Sequence, residues 1–167
     1  RVGGDALLDE GTLVDRRDLG EWTAAVPKNT KLFFLESPTN PTLEVIDIAA
    51  VAKISKAAGA KLIVDNVFST PLFQKPLTLG ADIVVYSATK HIDGQGRCLG
   101  GVVLGPKEYI EEKLHNYLKH TGPSLSPFNA WVFLKGLETL SLRMRAHSAN
   151  ALALATWLES HPAITRV

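Results

Sequence analysis

Hydrophobic and polar positions alternate along the chain in blocks that predict strands and helices in turn. Short apolar runs at residues 31–35, 61–65 and 82–86 predict three buried parallel strands, and residues 101–104 predict a shorter fourth. Between the first two runs, Asp47 is expected to begin a helix and Gly59 to end it, which makes a βαβ unit. The pattern predicts an α/β fold with a mostly parallel sheet flanked by helices.

Two longer helical patterns follow the strands. One begins at Pro106 and is expected to lie on the surface of the sheet. The second runs from Phe128 to about Ser160, and Gly136 is expected to break it. Its predicted apolar stripe consists of Leu137, Leu140, Met144, Ala151, Ala155 and Leu158. A helix of this length often connects two domains.

Composition narrows the functional classes. The 167 residues include 18 Lys plus Arg and 17 Asp plus Glu, so the formal net charge of +1 predicts no broad basic surface for nucleic acid or anionic lipid. The single cysteine, Cys98, cannot form an internal disulfide, which favours a reducing compartment and a cytoplasmic location. The apolar runs are shorter than a membrane span, and the five histidines show no metal-ligand spacing, so neither a membrane partner nor a metal site is expected.

Polar side chains follow each predicted parallel strand. Residues 36–41 read ESPTNP, residues 65–66 read DN, and residues 87–96 read SATKHIDGQG. Because parallel strands end at the same edge of a sheet, Asn40, Asp65 and Lys90 are expected to converge there. A lysine amine, a carboxylate and nearby hydroxyls suit pyridoxal phosphate, whose aldehyde forms a Schiff base and whose pyridine nitrogen needs a counter-charge.

These three motifs, in this order, resemble those of the Cys/Met-metabolism (transsulfuration) family of pyridoxal-phosphate-dependent enzymes. The resemblance implies the large domain of a fold-type I enzyme, a three-layer αβα structure. Residues 1–147 would be part of that domain, and residues 148–167 would begin the C-terminal domain. Residues 91–98 are most similar to the O-succinylhomoserine sulfhydrylases, although His91 stands where the family usually has Tyr or Phe.

The resemblance also assigns a role to each candidate site residue. Lys90 would form the Schiff base with pyridoxal 5'-phosphate and then move protons on the substrate. Asp65 would pair with the pyridine nitrogen, Ser87 and Thr89 would bind the phosphate, and Asn40 would lie beside the ring oxygen and the substrate carboxylate.

The implied reaction is a γ-replacement, in which a sulfur nucleophile displaces the ester of an O-acylated homoserine during methionine biosynthesis. Cystathionine γ-synthase and cystathionine lyase are alternatives within the family. Family members are about twice as long or more and form homo-oligomers, here expected to be a tetramer built as a dimer of dimers. The 167-residue chain is therefore expected to be incomplete and inactive alone.

Other functional classes fit the motifs less well. The glycines at 94–101 depart from G-x-G-x-x-G because Leu99 occupies the third glycine position, and a Walker-type sequence is absent. Ser87 and Lys90 also match S-x-x-K of serine acyl-enzymes, but the K-T-G motif of that class is missing. Cys98 could be a reactive thiol, although a small buried apolar residue is the simpler interpretation. The alternative hypothesis is that the chain is not an enzyme but a non-catalytic α/β binding or assembly module.

Overall fold

The computed structural model describes residues 11–15 and 18–167, and its centre is a four-stranded sheet. The strands are β1 (Leu32–Glu36), β2 (Lys61–Asp65), β3 (Ile83–Ser87) and β4 (Gly101–Leu104), in the spatial order β1-β2-β3-β4. The pairs β1-β2 and β2-β3 are parallel, and β4 runs antiparallel to β3. The predicted strands and the mostly parallel sheet are confirmed.

Five α-helices accompany the sheet among these residues: α1 (Leu19–Ala24), α2 (Ile48–Ala57), α3 (Thr70–Phe73), α4 (His115–Thr121) and α5 (Pro127–Glu159). Shorter helical segments are Pro76–Leu79, Ala88–Ile92 and Tyr109–Leu114. The last of these leads directly into α4, which confirms a helical segment after Pro106. The residues of both parts are half-buried or exposed, so this segment contributes little to the core.

Helix α2 begins and ends as predicted from its flanking residues. The Asp47 side chain accepts a hydrogen bond from the Ala50 backbone N–H at 2.9 Å, which satisfies a donor that the first turn leaves free. At the other end Gly59 has a φ of +67°, a conformation that glycine adopts without a steric cost. The helix therefore connects β1 and β2 as the crossover of a βαβ unit.

The core lies between one face of the sheet and the helices. Alternate strand positions face it, including Phe33, Leu35, Leu62, Val64 and Val84, together with Ile48 and Val51 of α2. The opposite face is less covered, because Phe34 is 58% exposed. Burial on both faces, expected from the continuous apolar run, is therefore wrong for β1, which is an edge strand of the sheet that the described residues form.

Helix α5 is continuous through Gly136, so the predicted break is wrong. The buried positions of this helix are Val132, Phe133, Gly136, Leu140 and Met144, whereas Leu137 is 47% exposed. A Cβ atom at position 136 would collide with the Ile92 carbonyl oxygen. The glycine thus allows close packing of α5 on the chain that follows β3. Beyond Met144 the predicted stripe is half-buried at Ala155 and Leu158 and exposed at Ala151.

Within residues 11–15 and 18–167, no helix combines the length and apolar character that crossing a bilayer requires.

Candidate functional site

The carboxyl ends of the three parallel strands meet at one edge of the sheet. Glu36 is paired in register with Asp65, and Asp65 with Val85. Backbone hydrogen bonds continue past the strand ends, from Ser37 N–H to the Asp65 carbonyl at 3.3 Å and from Asn66 N–H to the Val85 carbonyl at 3.1 Å. Since strand side chains alternate between faces, Asp65 and Ser87 lie on the same face of the sheet.

Asp65 is the last residue of β2 and is half-buried. Its Oδ1 atom accepts a hydrogen bond from the Val67 backbone N–H at 3.0 Å. Such a turn bond fixes the side-chain torsions of an aspartate. The carboxylate is therefore held in a defined direction at the sheet edge.

The adjacent Asn66 anchors this strand end. Its buried side chain donates to the Gln74 carbonyl and the Tyr86 hydroxyl, both at 2.9 Å, and to the Thr70 carbonyl at 3.2 Å. Gln74 in turn donates its side-chain amide to Asn66 Oδ1 at 2.7 Å. Burial raises the pKa of the Tyr86 hydroxyl against the opposing effect of the Asn66 bond, so this hydroxyl stays protonated. The sequence places Asn66 beside Asp65 but gives no sign of this network.

Lys90 lies in a wide helical turn, Ala88–Ile92, that begins directly after β3. The backbone of Lys90 departs from helical geometry, with φ −90° and ψ −111°, and its carbonyl accepts from Gly94 N–H at 2.7 Å. The lysine itself is exposed. Its amine is therefore accessible, while the main chain that carries it is fixed. We refer to residues 88–100 as the lysine loop.

Thr89 closes the lysine loop on itself. The Thr89 hydroxyl accepts from Gly100 N–H at 3.1 Å, and the Ala88 N–H donates to the Gly100 carbonyl at 2.9 Å. Both ends of the loop are thereby joined beside the end of β3.

An ion pair braces the middle of the lysine loop. The Asp93 carboxylate is buried and accepts from the Arg97 backbone N–H at 2.6 Å and from Arg97 Nε at 2.8 Å. Burial acts to raise the pKa of the Asp93 carboxyl, but the Arg97 hydrogen bonds and the guanidinium charge outweigh it, and the pKa lies below its ordinary value. Asp93 is therefore ionised at neutral pH.

Asn40 lies in the loop after β1. Its backbone N–H donates to Glu36 Oε2 at 3.0 Å, and the residue is exposed. The loop is held by the buried Ser37 and Thr39 hydroxyls, which accept from Ile46 N–H at 3.0 Å and Glu44 N–H at 3.1 Å. Asn40 and Lys90 lie beyond the ends of β1 and β3, and Asp65 ends β2 between these strands, but no hydrogen bond joins the three residues to one another among the described residues.

Two further residues of the lysine loop, Cys98 and His91, are both half-buried. Cys98 is half-buried against the core, and burial raises the pKa of its thiol, which agrees with a packing role. His91 is half-buried, with its ring 6.3 Å from the His147 ring. Burial lowers the pKa of His91, as do the nearby His147 and the Arg143 charge, so His91 is neutral at pH 7. No cluster of potential metal ligands occurs in the described parts of the chain.

Comparison with known proteins identifies the family. The family model for Cys/Met metabolism PLP-dependent enzymes matches residues 8–167. The chain belongs to this family.

Individual relatives of this Cys/Met-metabolism chain agree with the match. It is 63% identical over 150 residues to O-succinylhomoserine sulfhydrylase of Pseudomonas aeruginosa and 52% identical over 151 residues to that of Mycobacterium tuberculosis. Each comparison covers 90% of this chain and 37% of the relative. The solved cystathionine γ-lyase of Lactobacillus plantarum, in complex with L-serine, superposes with a TM-score of 0.89 at 43% identity, over 93% of this chain and 41% of that one.

The donor groups at the sheet edge fit the cofactor of the Cys/Met-metabolism enzymes. An accessible amine at Lys90 can react with an aldehyde, and the fixed carboxylate of Asp65 is suited to a protonated ring nitrogen. The hydroxyls of Ser87 and Thr89 flank the same strand end and are half-buried. The residues present thus supply an amine, a carboxylate and two hydroxyls, which are groups suited to binding pyridoxal 5'-phosphate.

Proposed function

We propose that this chain is the cofactor-binding part of a pyridoxal-phosphate-dependent enzyme that replaces the ester group of an O-acylated homoserine with a sulfur nucleophile. The observation that carries the proposal is the placement of Lys90 in the turn that begins directly after β3, the strand that pairs with β2 beside Asp65. The sulfhydrylase relatives support the choice of reaction, and the implied substrate is an O-succinyl ester.

The proposed roles of the residues are those that the family resemblance implies, and the positions of the residues support them. When bound, pyridoxal 5'-phosphate supplies an electron sink for the bonds broken at the substrate carbons. Asp65 would hold a proton on the pyridine nitrogen, because its carboxylate is fixed by the Val67 N–H and supplies the negative charge. Ser87 and Thr89 would donate to the phosphate oxygens, and Asn40 would orient the ring oxygen and the substrate carboxylate.

Lys90 would perform two tasks. Its Nζ atom would bind the cofactor covalently, and after release by the substrate it would take up and return protons at the substrate carbons. The exposed amine on a fixed backbone allows both, since the side chain can move while its anchor stays in place. Replacing Lys90 with alanine should therefore abolish both the covalent binding of the cofactor and the proton transfer at the substrate.

The larger organisation is also part of the proposal. Residues 1–147 would belong to the large domain and residues 148–167 would begin the C-terminal domain of a cytoplasmic homotetramer. The relatives are much longer than this chain, and the 167-residue chain alone would be inactive.

A second candidate reaction is the cleavage of cystathionine. The chain is 46% identical over 155 residues to cystathionine γ-lyase of Bacillus subtilis, so the same residues could serve an elimination. Adding O-succinylhomoserine with sulfide, or cystathionine alone, to the protein made from its complete coding sequence separates the two reactions. Homocysteine from the first mixture supports replacement. Turnover of cystathionine only would favour the lyase.

The site is tested by absorption spectroscopy with pyridoxal phosphate. The complete protein should show a visible absorption band that borohydride removes, and Lys90→Ala should lack the band. Lys119→Ala, a change of another exposed lysine on α4, should keep it. An unchanged reducible band in Lys90→Ala would refute the site. The absence of any band in the wild type would favour a non-catalytic module.

A further inference from the structure

Helix α5 contacts the lysine loop through three residues that the proposed chemistry does not use. Phe133 lies against Gly100, where a Cβ atom would be 2.5 Å from the ring. Gly136 lies against the Ile92 carbonyl, as described above. Arg143, two turns further along α5, reaches the same part of the loop.

The Arg143 guanidinium bridges the loop and the helix. Its Nη1 atom donates to the His91 carbonyl at 2.8 Å, and its Nη2 atom donates to the Gly136 carbonyl at 2.9 Å and the Ile92 carbonyl at 3.4 Å. The Nε atom donates to the Thr139 hydroxyl at 3.1 Å. One planar cation therefore satisfies carbonyl groups of two separate segments, a geometry that a lysine ammonium cannot reproduce.

The lysine loop is shaped to receive this guanidinium. Gly94 has a φ of +74°, and a Cβ atom there would collide with the Arg143 guanidinium. Arg143 itself is half-buried, and hydrogen bonds from a charged donor are stronger than those between neutral groups. The contact is thus a close-packed, charge-assisted attachment of the loop to α5.

The contact between Arg143 and the His91 carbonyl lies one residue from Lys90, to which the cofactor is proposed to bind. The Lys90 carbonyl is held by Gly94 N–H, and the next carbonyl, that of His91, is held by Arg143. Together these bonds fix the chain on the C-terminal side of Lys90, while the end of β3 fixes the other side.

We propose that Arg143 is a positioning residue for Lys90, which sets the location of the Lys90 amine by holding the backbone carbonyls that follow it. The inference rests on the proposed function of Lys90. A displacement of a reacting group by about 1 Å can reduce a rate by about 100-fold, so loosening this loop should affect the chemical step more than substrate binding.

The experiment compares three variants of the complete protein loaded with pyridoxal phosphate. Arg143→Met removes the charge and the hydrogen bonds, and Arg143→Lys keeps the charge but loses the planar fork. Arg145→Met removes an exposed arginine of the same helix and is the matched control. The readouts are kcat and KM with O-succinylhomoserine and sulfide, thermal unfolding, and hydrogen exchange of the backbone amides in residues 88–100.

Arg143→Met should lower kcat by about 10- to 100-fold while KM changes by less than about 3-fold, with faster exchange confined to residues 88–100. Arg143→Lys should recover part of kcat, and Arg145→Met should match the wild type. Wild-type kcat and exchange in Arg143→Met would overturn the inference. If Arg143→Met does not fold, Arg143→Lys decides, since wild-type kcat in a folded Arg143→Lys protein would also overturn it.

The two proposals fail in different ways. A wild type without a reducible band would refute the proposed function of Lys90. In that case hydrogen exchange is compared between wild type and Arg143→Met without pyridoxal phosphate, which shows whether Arg143 holds the loop. Equal exchange rates in residues 88–100 would overturn the inference independently of activity.

Discussion

At the scale of single residues, Asp93 shows how one buried charge organises the lysine loop. The carboxylate accepts hydrogen bonds from both the backbone and the side chain of Arg97, and the guanidinium also donates to the Asp93 carbonyl at 3.1 Å. A buried charge is tolerated only when it is paired in this way. The ionised carboxylate of Asp93 therefore helps to hold the segment from Asp93 to Arg97 in place.

Asp93→Asn should lower the thermal midpoint by several degrees at pH 7, because the amide carries no charge to pair with Arg97. The folded-state pKa of Asp93 is lowered, so its stabilisation is present above the unfolded-state pKa of about 4 and is lost as pH falls through the folded value. The difference between wild type and variant should hence narrow below about pH 4. Thermal unfolding from pH 3 to pH 7 measures both effects.

The control for this prediction is Glu112→Gln, which removes an exposed carboxylate outside the loop. Its thermal midpoint should stay within about 1 °C of the wild type at pH 7, since most surface substitutions have small effects. A gap between wild type and Asp93→Asn that is the same at pH 3 and pH 7 would contradict the role given to the charge.

The sequence indicates some of these residues and not others, for a physical reason. Asp65 and Lys90 can be placed at strand ends because the apolar runs before them are local signals. The bonds from Asn66 to Tyr86 and from Arg143 to His91 join residues that are far apart in the chain, and only the fold brings them together. A single polar residue in a helical pattern gives no sign of such a partner.

At the scale of elements, Gly136 shows why a glycine need not end a helix. An alanine in place of a mid-helix glycine normally stabilises by about 1 kcal/mol. In α5 the missing side chain instead allows close packing of the helix on the Ile92 carbonyl. The propensity argument predicts a break here, and tertiary packing overrides it.

Gly136→Ala should therefore destabilise the protein by about 1–3 kcal/mol, because the added methyl group collides with backbone that cannot rotate away. Urea unfolding monitored by tryptophan fluorescence gives the change in midpoint. The matched substitution, Ala146→Gly at an exposed position of α5, should also destabilise, by about 1 kcal/mol, through propensity alone. A stabilised Gly136→Ala protein would show that α5 is free to shift away from the loop.

The other elements were predictable to different degrees. The strands and α2 carry strong local signals, namely continuous apolar runs and the Asp47 cap. In α5 the prediction correctly included Leu140 and Met144 among the buried positions. It placed Leu137 on the buried side, where the structure has its neighbour Gly136. Both fit a helical period, and only the contact with the lysine loop decides between them.

At the scale of the whole molecule, the described sheet has an apolar edge. Strand β1 pairs with β2 on one side, and Leu32 and Phe34 are 50% and 58% exposed. Exposed edge strands with large apolar residues tend to pair with other chains. This chain spans 37% of the length of its sulfhydrylase relatives, and none of the described strands pairs with the outer side of β1.

The 167-residue chain expressed by itself should therefore self-associate through β1. Light scattering after size-exclusion chromatography should detect oligomers or larger aggregates. A protein concentration of about 1 micromolar or more is used, because exposed apolar surface causes aggregation in this range. Phe34→Lys should shift the chain towards the monomer, because a charged side chain on an edge strand disfavours pairing. Leu154→Lys changes a 57% exposed residue of α5 and should leave self-association unchanged. A monomeric wild type would contradict self-association of the chain. Equal effects of Phe34→Lys and Leu154→Lys would contradict the assignment of self-association to β1.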